Sequence, residues 1–228
     1  MSRKLFKPDF DNARANQGFD LLSQVIRAEL INLVKLNLLT LACSLLLVTI
    51  PATITAACRV LVLFMRQEKV EVSSEFFRCF KKEFGASSLG GFMFIAILLA
   101  CGFAETFYII YFSANFFGIL LVLVGCIMLM IIIIATYHFF VLTAIADLKL
   151  FTAIKNAWLL ALVRLPNNFL YVIIVFLIIS AHIAIWPIAL VLIVLISLSF
   201  ILLLLSVNAY ENIVNLVFIL PEENNGNE

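Results

Sequence analysis

Two long apolar stretches limit what this chain can fold into. Ile31–Met65 and Phe169–Leu205 each hold more than thirty mostly apolar residues in succession. A helix that spans a bilayer needs about 20 such residues, so each stretch is too long for one straight crossing. Pro51 and Pro187 lie near the middle of the two stretches, where proline removes a backbone donor and kinks or ends a helix. We therefore divide each stretch into two membrane segments.

The composition of the whole chain indicates an integral membrane protein. The chain is 64% hydrophobic and 13% charged, whereas soluble domains are about 45–50% apolar and about 25% charged. Its net charge of +1 gives no reason to expect a nucleic-acid partner. Residues 1–28 are polar and lack the short apolar run of a signal peptide, so we interpret them as a cytoplasmic arm.

The remaining apolar runs and turn residues lead to an all-α prediction, a polytopic transmembrane helical bundle with about six membrane segments. The second segment is short and carries Thr53, Thr55 and Arg59. Asn167 or Asn168 is expected to cap the helix that follows Pro166. The predicted parts are the arm (1–28), a membrane domain (29–207) with spans at 31–50, 52–66, 89–111, 118–142, 168–185 and 188–206, amphipathic interfacial helices at 73–86 and 147–165, and an amphipathic helix with an acidic tail (208–228).

The distribution of Lys and Arg predicts the orientation. The arm holds five of them, residues 66–82 hold five and residues 149–164 hold three, whereas the turns near 113–117 and 183–188 hold none. Basic residues in short loops favour the cytoplasmic side. The three basic regions lie on one side only if the first long stretch crosses twice. We therefore expect a multi-pass plasma-membrane protein with both termini in the cytoplasm.

The segment "SSEFFRCFKKEF" (73–84) mixes aromatic and basic residues. On a helix its four phenylalanines share one face, and its cations lie on the other side. Such a helix fits the membrane interface, with rings at the acyl boundary and cations near anionic headgroups. It is either a structural elbow before the next span or a docking surface for a cytoplasmic partner. The residues of that candidate surface are Phe77, Arg78, Lys81 and Lys82, with Lys155 from the second amphipathic helix.

That second helix resembles the first. "FRCFKKEF" (77–84) aligns without gaps with "FTAIKNAW" (151–158), and each helix is followed by a predicted two-span hairpin. A unit of one helix and one hairpin that occurs twice would form a parallel pseudo-repeat, an arrangement also found in transporters.

Three stretches carry a family resemblance: "LNLLTLACSLLLVTIPATITA" (36–56), "FFRCFKKEF" (76–84) and "ADLKLFTAIKNAWLLALVRLP" (146–166). In this order they resemble the YesL-type bacterial membrane proteins, the family of domain of unknown function 624, from about residue 20 to 206. The family usually has Pro where Leu46 stands and Gly where Pro51 stands, so the first hairpin is expected to differ in shape. The resemblance implies an accessory role in carbohydrate uptake or its sensing, and it supplies no catalytic or ligand residue.

Two ionisable residues within the spans form a candidate intramembrane polar site. Glu105 lies in the outer half of the third span, and His182 lies at a comparable depth in the fifth. Ionisable side chains inside a membrane are functional candidates, so the two could pair to relay protons or hold a cation. The alternative is a carboxyl group bonded to nearby hydroxyls. His138, near the inner end of the fourth span, is interpreted as an interfacial anchor.

The functional prediction is a non-enzymatic accessory or interaction protein. The five cysteines have no metal-ligand spacing, catalytic motifs are missing, and no cofactor or metal is expected. The expected partners are membrane lipids and another membrane or cytoplasmic protein, with no nucleic acid. The alternative is a small transporter with Glu105 in its pathway.

Overall fold

The computed structural model describes residues 18–112, 115–146, 148–187 and 189–217, and the regular structure within those ranges is entirely helical. The predicted all-α bundle is confirmed, whereas the arm before residue 18 and the tail after residue 217 lie outside the described residues. The α-helices are α1 (Phe19–Ser44), α2 (Ile50–Met65), α3 (Val72–Phe112), α4 (Phe116–Ile145), α5 (Leu150–Leu162), α6 (Leu165–Ala184), α7 (Ala189–Leu192) and α8 (Leu198–Val217). A 3-10 turn (Leu47–Thr49) precedes α2, and a π-helical segment (Ile193–Ser197) joins α7 to α8.

Five of these helical stretches are long and apolar enough to cross a membrane, and they overlap five of the six predicted segments. The predicted segment at 31–50 instead overlaps α1, which carries Arg27, Glu29 and Lys35. These charges make α1 less apolar than the other five. The five stretches are Leu47–Met65, Val72–Phe112, Phe116–Ile145, Leu165–Ala184 and Ala189–Val214.

Contacts with the last helix indicate how deep α1 extends. The Gly18 amide, just before α1, donates to the Glu211 carboxylate near the end of α8. Farther along α1, the Asn37 side chain donates to the Val194 carbonyl in the π-helical segment. About 25 Å of helix separates Val194 from Glu211, close to the 30 Å or so of a bilayer's hydrocarbon core. α1 therefore runs antiparallel to the last helix through nearly a membrane's depth, which supports counting it as a sixth segment.

The antiparallel helices define two ends of the bundle. We call one the basic end: α1 and α3 begin there, α2, α4 and α8 end there, and α5 lies between its neighbours there. The opposite end contains the turns at 45–49 and 185–187. Most of the described Lys and Arg residues belong to the basic end, namely Arg66, Lys69, Arg78, Lys81, Lys82, Lys149, Lys155 and Arg164.

α2 is the central helix of the bundle. Of the 18 most apolar consecutive residues in Leu47–Met65, 67% are buried inside the protein, against 11% in Val72–Phe112. Pro51 lies in its first turn, where the missing proline N–H has no helical partner to lose. A Cβ atom on Gly91 of α3 would collide with Pro51, and one on Gly90 would collide with the Phe139 ring of α4. The two glycines therefore let α2, α3 and α4 pack closely.

α3 corrects the prediction of a separate interfacial helix at 73–86. It is one continuous helix of 41 residues that includes both this segment and the predicted span at 89–111. Glycine weakens a helix, but the close packing at Gly90 and Gly91 holds this one together. A basic segment that continues directly into a span cannot lie flat on the membrane while that span crosses it.

The prediction that the four phenylalanines of this segment share one face at the acyl boundary is also corrected. Phe76 is fully buried and stacks on Phe80, with ring centroids 6.3 Å apart, so these two rings face the protein core. Phe77 and Phe84 are exposed. The four rings therefore do not form one membrane-facing surface.

The two units of the expected repeat differ in structure. The helix predicted at 147–165 is shorter, α5, and it is separated from α6 by Val163 and by Arg164, whose φ of 62° is left-handed. The corresponding part of α3 continues without a break. The predicted boundary at 208 is absent as well, since α8 continues through it to Val217.

Candidate functional site

Five buried polar side chains meet at the basic end of the bundle. They come from three helices and are at most 7% exposed. We call them the amide network: Tyr137 and His138 of α4, Asn168 of α6, and Asn208 and Asn212 of α8. Polar groups buried away from water need hydrogen-bond partners, so the bonds of this cluster can be followed group by group.

Asn168 is the centre of the amide network. Its Nδ2 donates to the carbonyl oxygens of Leu160 and Ala161 in α5, at 3.2 and 3.0 Å. Its Oδ1 accepts from the Nδ2 atoms of Asn208 and Asn212, at 2.9 and 2.7 Å. One carboxamide therefore connects α5, α6 and α8.

The local backbone explains why Asn168 reaches α5. The left-handed Arg164 ends α5 and turns the chain into α6, which leaves carbonyls in the last turn of α5 without helical partners. Asn168 lies one turn into α6 and donates to two of them. This corrects the prediction that Asn167 or Asn168 caps the following helix, because Asn168 instead satisfies the end of the preceding one.

His138 is held as a neutral ring. Its Nδ1 lies 2.9 Å from the Ile134 carbonyl oxygen, which can only accept, so Nδ1 carries the proton. Its Nε2 then accepts from the Asn212 Nδ2 at 3.2 Å. His138 is fully buried, which corrects its interpretation as an interfacial anchor. The neighbouring Tyr137 hydroxyl accepts from the Asn208 Nδ2 at 2.6 Å.

The amide network is suited to holding helices together. Its members are uncharged, and their donors are used within the protein. In a membrane such bonds connect helices where water is not available to replace them. The Asn212 Oδ1 is a buried oxygen that has no partner among the described residues. Those residues also contain no group of three or more His, Cys, Asp or Glu side chains placed to hold a metal ion.

Glu105 lies in a narrow contact between α3 and α4, toward the opposite end. It is 8% exposed, and its Oε1 accepts from the Cys126 thiol at 3.4 Å. A Cβ atom on Gly125 would overlap the Glu105 carboxylate, so glycine provides the space for that group. Neighbouring side chains such as Phe103 and Leu123 are apolar and exposed, as expected for a surface in lipid.

His182 has different partners. Its Nδ1 lies 2.7 Å from the Ile178 carbonyl oxygen, and its Nε2 lies 2.7 Å from the Ser197 hydroxyl in the π-helical segment. Glu105 instead contacts α4, and the described residues show no hydrogen bond or ion pair between the two. The structure therefore does not bring Glu105 and His182 together as one polar site.

The residues of the candidate docking surface are exposed. Phe77 is 41% exposed, and the Arg78 and Lys82 side chains are 69% and 60% exposed. Lys81 and Lys155 are exposed as well. Arg78 pairs with Glu75, and Lys82 pairs with Glu83 at 3.1 Å, so both cations lie beside acidic neighbours. We call these five residues the basic surface.

The two asparagines of α8 were missed from the sequence because the end of α8 was assigned to an amphipathic surface helix. Asn208 and Asn212 are four residues apart, which places them on one helix face. A polar pair on one face of an otherwise apolar helix indicates contact with other helices. Their spacing could therefore have pointed to the network, although not to Asn168 as its centre.

The comparisons with known proteins agree with the family resemblance. A family described as a protein of unknown function, DUF624, matches residues 33–104. This is the YesL-type family, so the resemblance is confirmed over about a third of the chain. The matched part includes the last 12 residues of α1, all of α2 and most of α3, and it ends one residue before Glu105. No significant match was found among curated proteins or among solved structures.

Proposed function

We propose that this integral membrane protein is a non-enzymatic accessory protein of the plasma membrane, which binds a partner protein through its basic surface. The surface combines the aromatic ring of Phe77 with the cations of Arg78, Lys81 and Lys82 on α3, and Lys155 of α5 is a further exposed cation at the basic end. Positive side chains around an exposed ring fit a partner that presents carboxylates and an apolar patch.

The length of α3 is the observation that carries the proposal. Its 41 residues extend about 60 Å, roughly twice the hydrocarbon core of a bilayer. Gly91 lies against Pro51 in the first turn of α2, so the exposed turns that carry Phe77 to Lys82 lie in the half of α3 that runs from there to the basic end. A protein partner in the aqueous phase can reach them there, whereas an elbow buried at the interface would be covered by lipid.

The charge asymmetry supports a cytoplasmic position for this surface. Eight basic residues belong to the basic end, whereas the described turns at 45–49 and 185–187 hold none. The positive-inside rule places such an end in the cytoplasm. Six crossings with α1 included would place both chain termini on that side.

Site-specific photo-crosslinking tests the proposal. A photoreactive amino acid at Phe77, in cells, should give one discrete protein adduct. The triple variant Arg78→Glu, Lys81→Glu, Lys82→Glu should lose this adduct while its amount in the membrane is unchanged. The same probe at Leu99, which is 69% exposed farther along α3, should label lipid alone. Recovery of lipid alone from Phe77 would contradict the proposal.

The family resemblance suggests the pathway of the partner. It implies a role beside carbohydrate uptake, so the partner would be a component of a sugar import system. The Phe77 adduct should then depend on the carbon source on which the cells grow. An adduct that is constant across carbon sources would count against this link while leaving the docking proposal intact.

A small transporter is the second candidate. The observation that favours it is a carboxyl group, Glu105, buried in an otherwise apolar pair of helices. Its fit against Gly125 and its bond to Cys126 favour a fixed contact between helices. The accessory role therefore accounts better for its surroundings.

A further inference from the structure

A side chain of α1 is inserted into the backbone of the last helix. Asn37 is fully buried beside the π-helical segment. Its Oδ1 accepts from the Ser199 amide at 2.9 Å, and its Nδ2 donates to the carbonyl oxygens of Val194 and Ile193, at 2.7 and 2.9 Å. The Asn37 carboxamide therefore binds backbone groups that a helix normally joins to each other.

The spacing of these groups gives Asn37 a specific role. In a π-helix the carbonyl of one residue pairs with the amide five residues later, and Val194 and Ser199 are five residues apart. Here both groups bond to Asn37. A side chain that enters the backbone ladder distorts a helix, and within a membrane the freed groups still need partners. Asn37 supplies both a donor and an acceptor.

We propose that Asn37 is a lock that holds the last helix in its π register, and that its withdrawal converts the segment into a continuous α-helix. A π turn contains one residue more than an α turn. Conversion without loss of a residue therefore rotates the part of the helix before the π turn by about 100° relative to the part after it.

The amide network determines which of these two parts rotates. Asn208 and Asn212 hold the part after the π turn, α8, to Asn168. The rotation therefore moves the part before α8. It separates Ser197 from His182, whose Nε2 lies 2.7 Å from the Ser197 hydroxyl. A cavity of about 260 Å³ lined by His182, Trp186 and Ser197 would change shape. The lock thus couples the position of α1 to the shape of the hairpin that α6, the turn at 185–187 and the π-helical segment form. Such a hairpin is a two-state element of the kind that switches use.

Deletion of one residue provides the sharpest test. Asn37→Leu should lower the melting temperature of the purified protein in detergent, because the Val194 carbonyl and Ser199 amide then find helical partners only through the rotation, which breaks contacts such as that of His182 with Ser197. Deletion of Val194 removes the extra residue of the π turn and allows a regular α-helix. Combined with Asn37→Leu, the deletion should restore the melting temperature or, if the single variant does not fold, restore folding. A double variant less stable than Asn37→Leu alone would overturn the proposal.

Crosslinking tests the rotation itself. In a chain whose cysteines are replaced by alanine, His182→Cys and Ser197→Cys should be joined by a short bifunctional thiol reagent. The crosslink should be lost when Asn37→Leu is added and retained with Asn32→Leu, the same change on the same helix at a residue that bonds Glu29. Equal crosslinking in the two backgrounds would show that Asn37 does not hold the part of the helix before α8 in place.

Discussion

The amide network and the Glu105 contact are both buried polar sites, but they differ in reach. The network joins side chains of α4, α6 and α8 to the backbone of α5, with Asn168 at its centre. Among the described residues, the contacts of Glu105 outside its own helix are with α4, through Cys126 and the space at Gly125. The ionisable residue draws attention in the sequence, yet the neutral amides connect more of the molecule.

This difference teaches how polarity is used in such a bundle. A neutral amide donates and accepts at once without the cost of a buried charge, so it can link several helices. A carboxyl group held between two helices, as Glu105 is between α3 and α4, is kept in position by close packing around it. We therefore expect the network to determine stability and the Glu105 contact to determine local fit.

Breaking the network at its centre should have the largest effect. Asn168→Leu removes the bonds to α5 and α8 and leaves the α5 carbonyls and the Asn208 and Asn212 amides without partners. We expect a loss of about 2–4 kcal/mol in the free energy of unfolding in detergent. Asn167→Leu is the matched control, because within the described part of the chain the Asn167 side chain donates one bond, to Asn208 Oδ1 at 2.9 Å. Equal losses from the two variants would mean that Asn168 is not the centre.

Filling the space beside Glu105 should have the next largest effect. Gly125→Ala places a Cβ atom against the carboxylate, and we expect a loss of about 1–3 kcal/mol in unfolding free energy from overpacking. Combining it with Glu105→Ala should recover part of that loss. Gly102→Ala on α3 is the control, because no atom lies near the added methyl group. Additive effects of Gly125→Ala and Glu105→Ala would show that the two residues are not in contact.

Removing the ionisable group of Glu105 while keeping its shape should matter less. Glu105→Gln keeps the shape of the side chain, and we expect a change of less than about 1 kcal/mol in unfolding free energy. Proton flux and uptake in proteoliposomes should match those of the unaltered protein. If the unaltered protein moves protons or a solute and the variant does not, the transporter alternative gains its main support.

The smallest effect is expected from Cys126→Ala. The thiol is a weak donor to the Glu105 carboxylate at 3.4 Å. Its loss should change the unfolding free energy by about 0.5 kcal/mol or less. A loss as large as that of Gly125→Ala would indicate that this bond, and not the space at Gly125, holds the carboxyl group in place.

Much of the fold follows from hydropathy and from proline. The helices that overlap the predicted spans at 52–66, 118–142, 168–185 and 188–206 are placed by long apolar runs and by the breaks near Pro51 and Pro187. The continuity of α3 does not follow, because Gly85, Gly90 and Gly91 suggest a break that contacts with Phe139 and Pro51 prevent.

The polar sites are less predictable. Glu105 stands out as a charge in an apolar run, but its partners on α4 depend on how two helices pack. The network depends on Asn168 meeting Asn208 and Asn212 some 40 residues later in the chain. Hydrophobic periodicity contains no information on such a meeting. The burial of His138 is unpredictable for the same reason, since its partner Asn212 follows more than 70 residues later in the chain.

A double-mutant cycle between Asn168 and Asn212 is the most direct test of the claim that the amide network holds the helices together. The free energy of unfolding would be measured in detergent for the unaltered protein, for each alanine variant and for the double variant. We expect the double variant to be more stable than additive losses would make it, with a coupling energy of about 1–2 kcal/mol. A coupling energy near zero would contradict the claim.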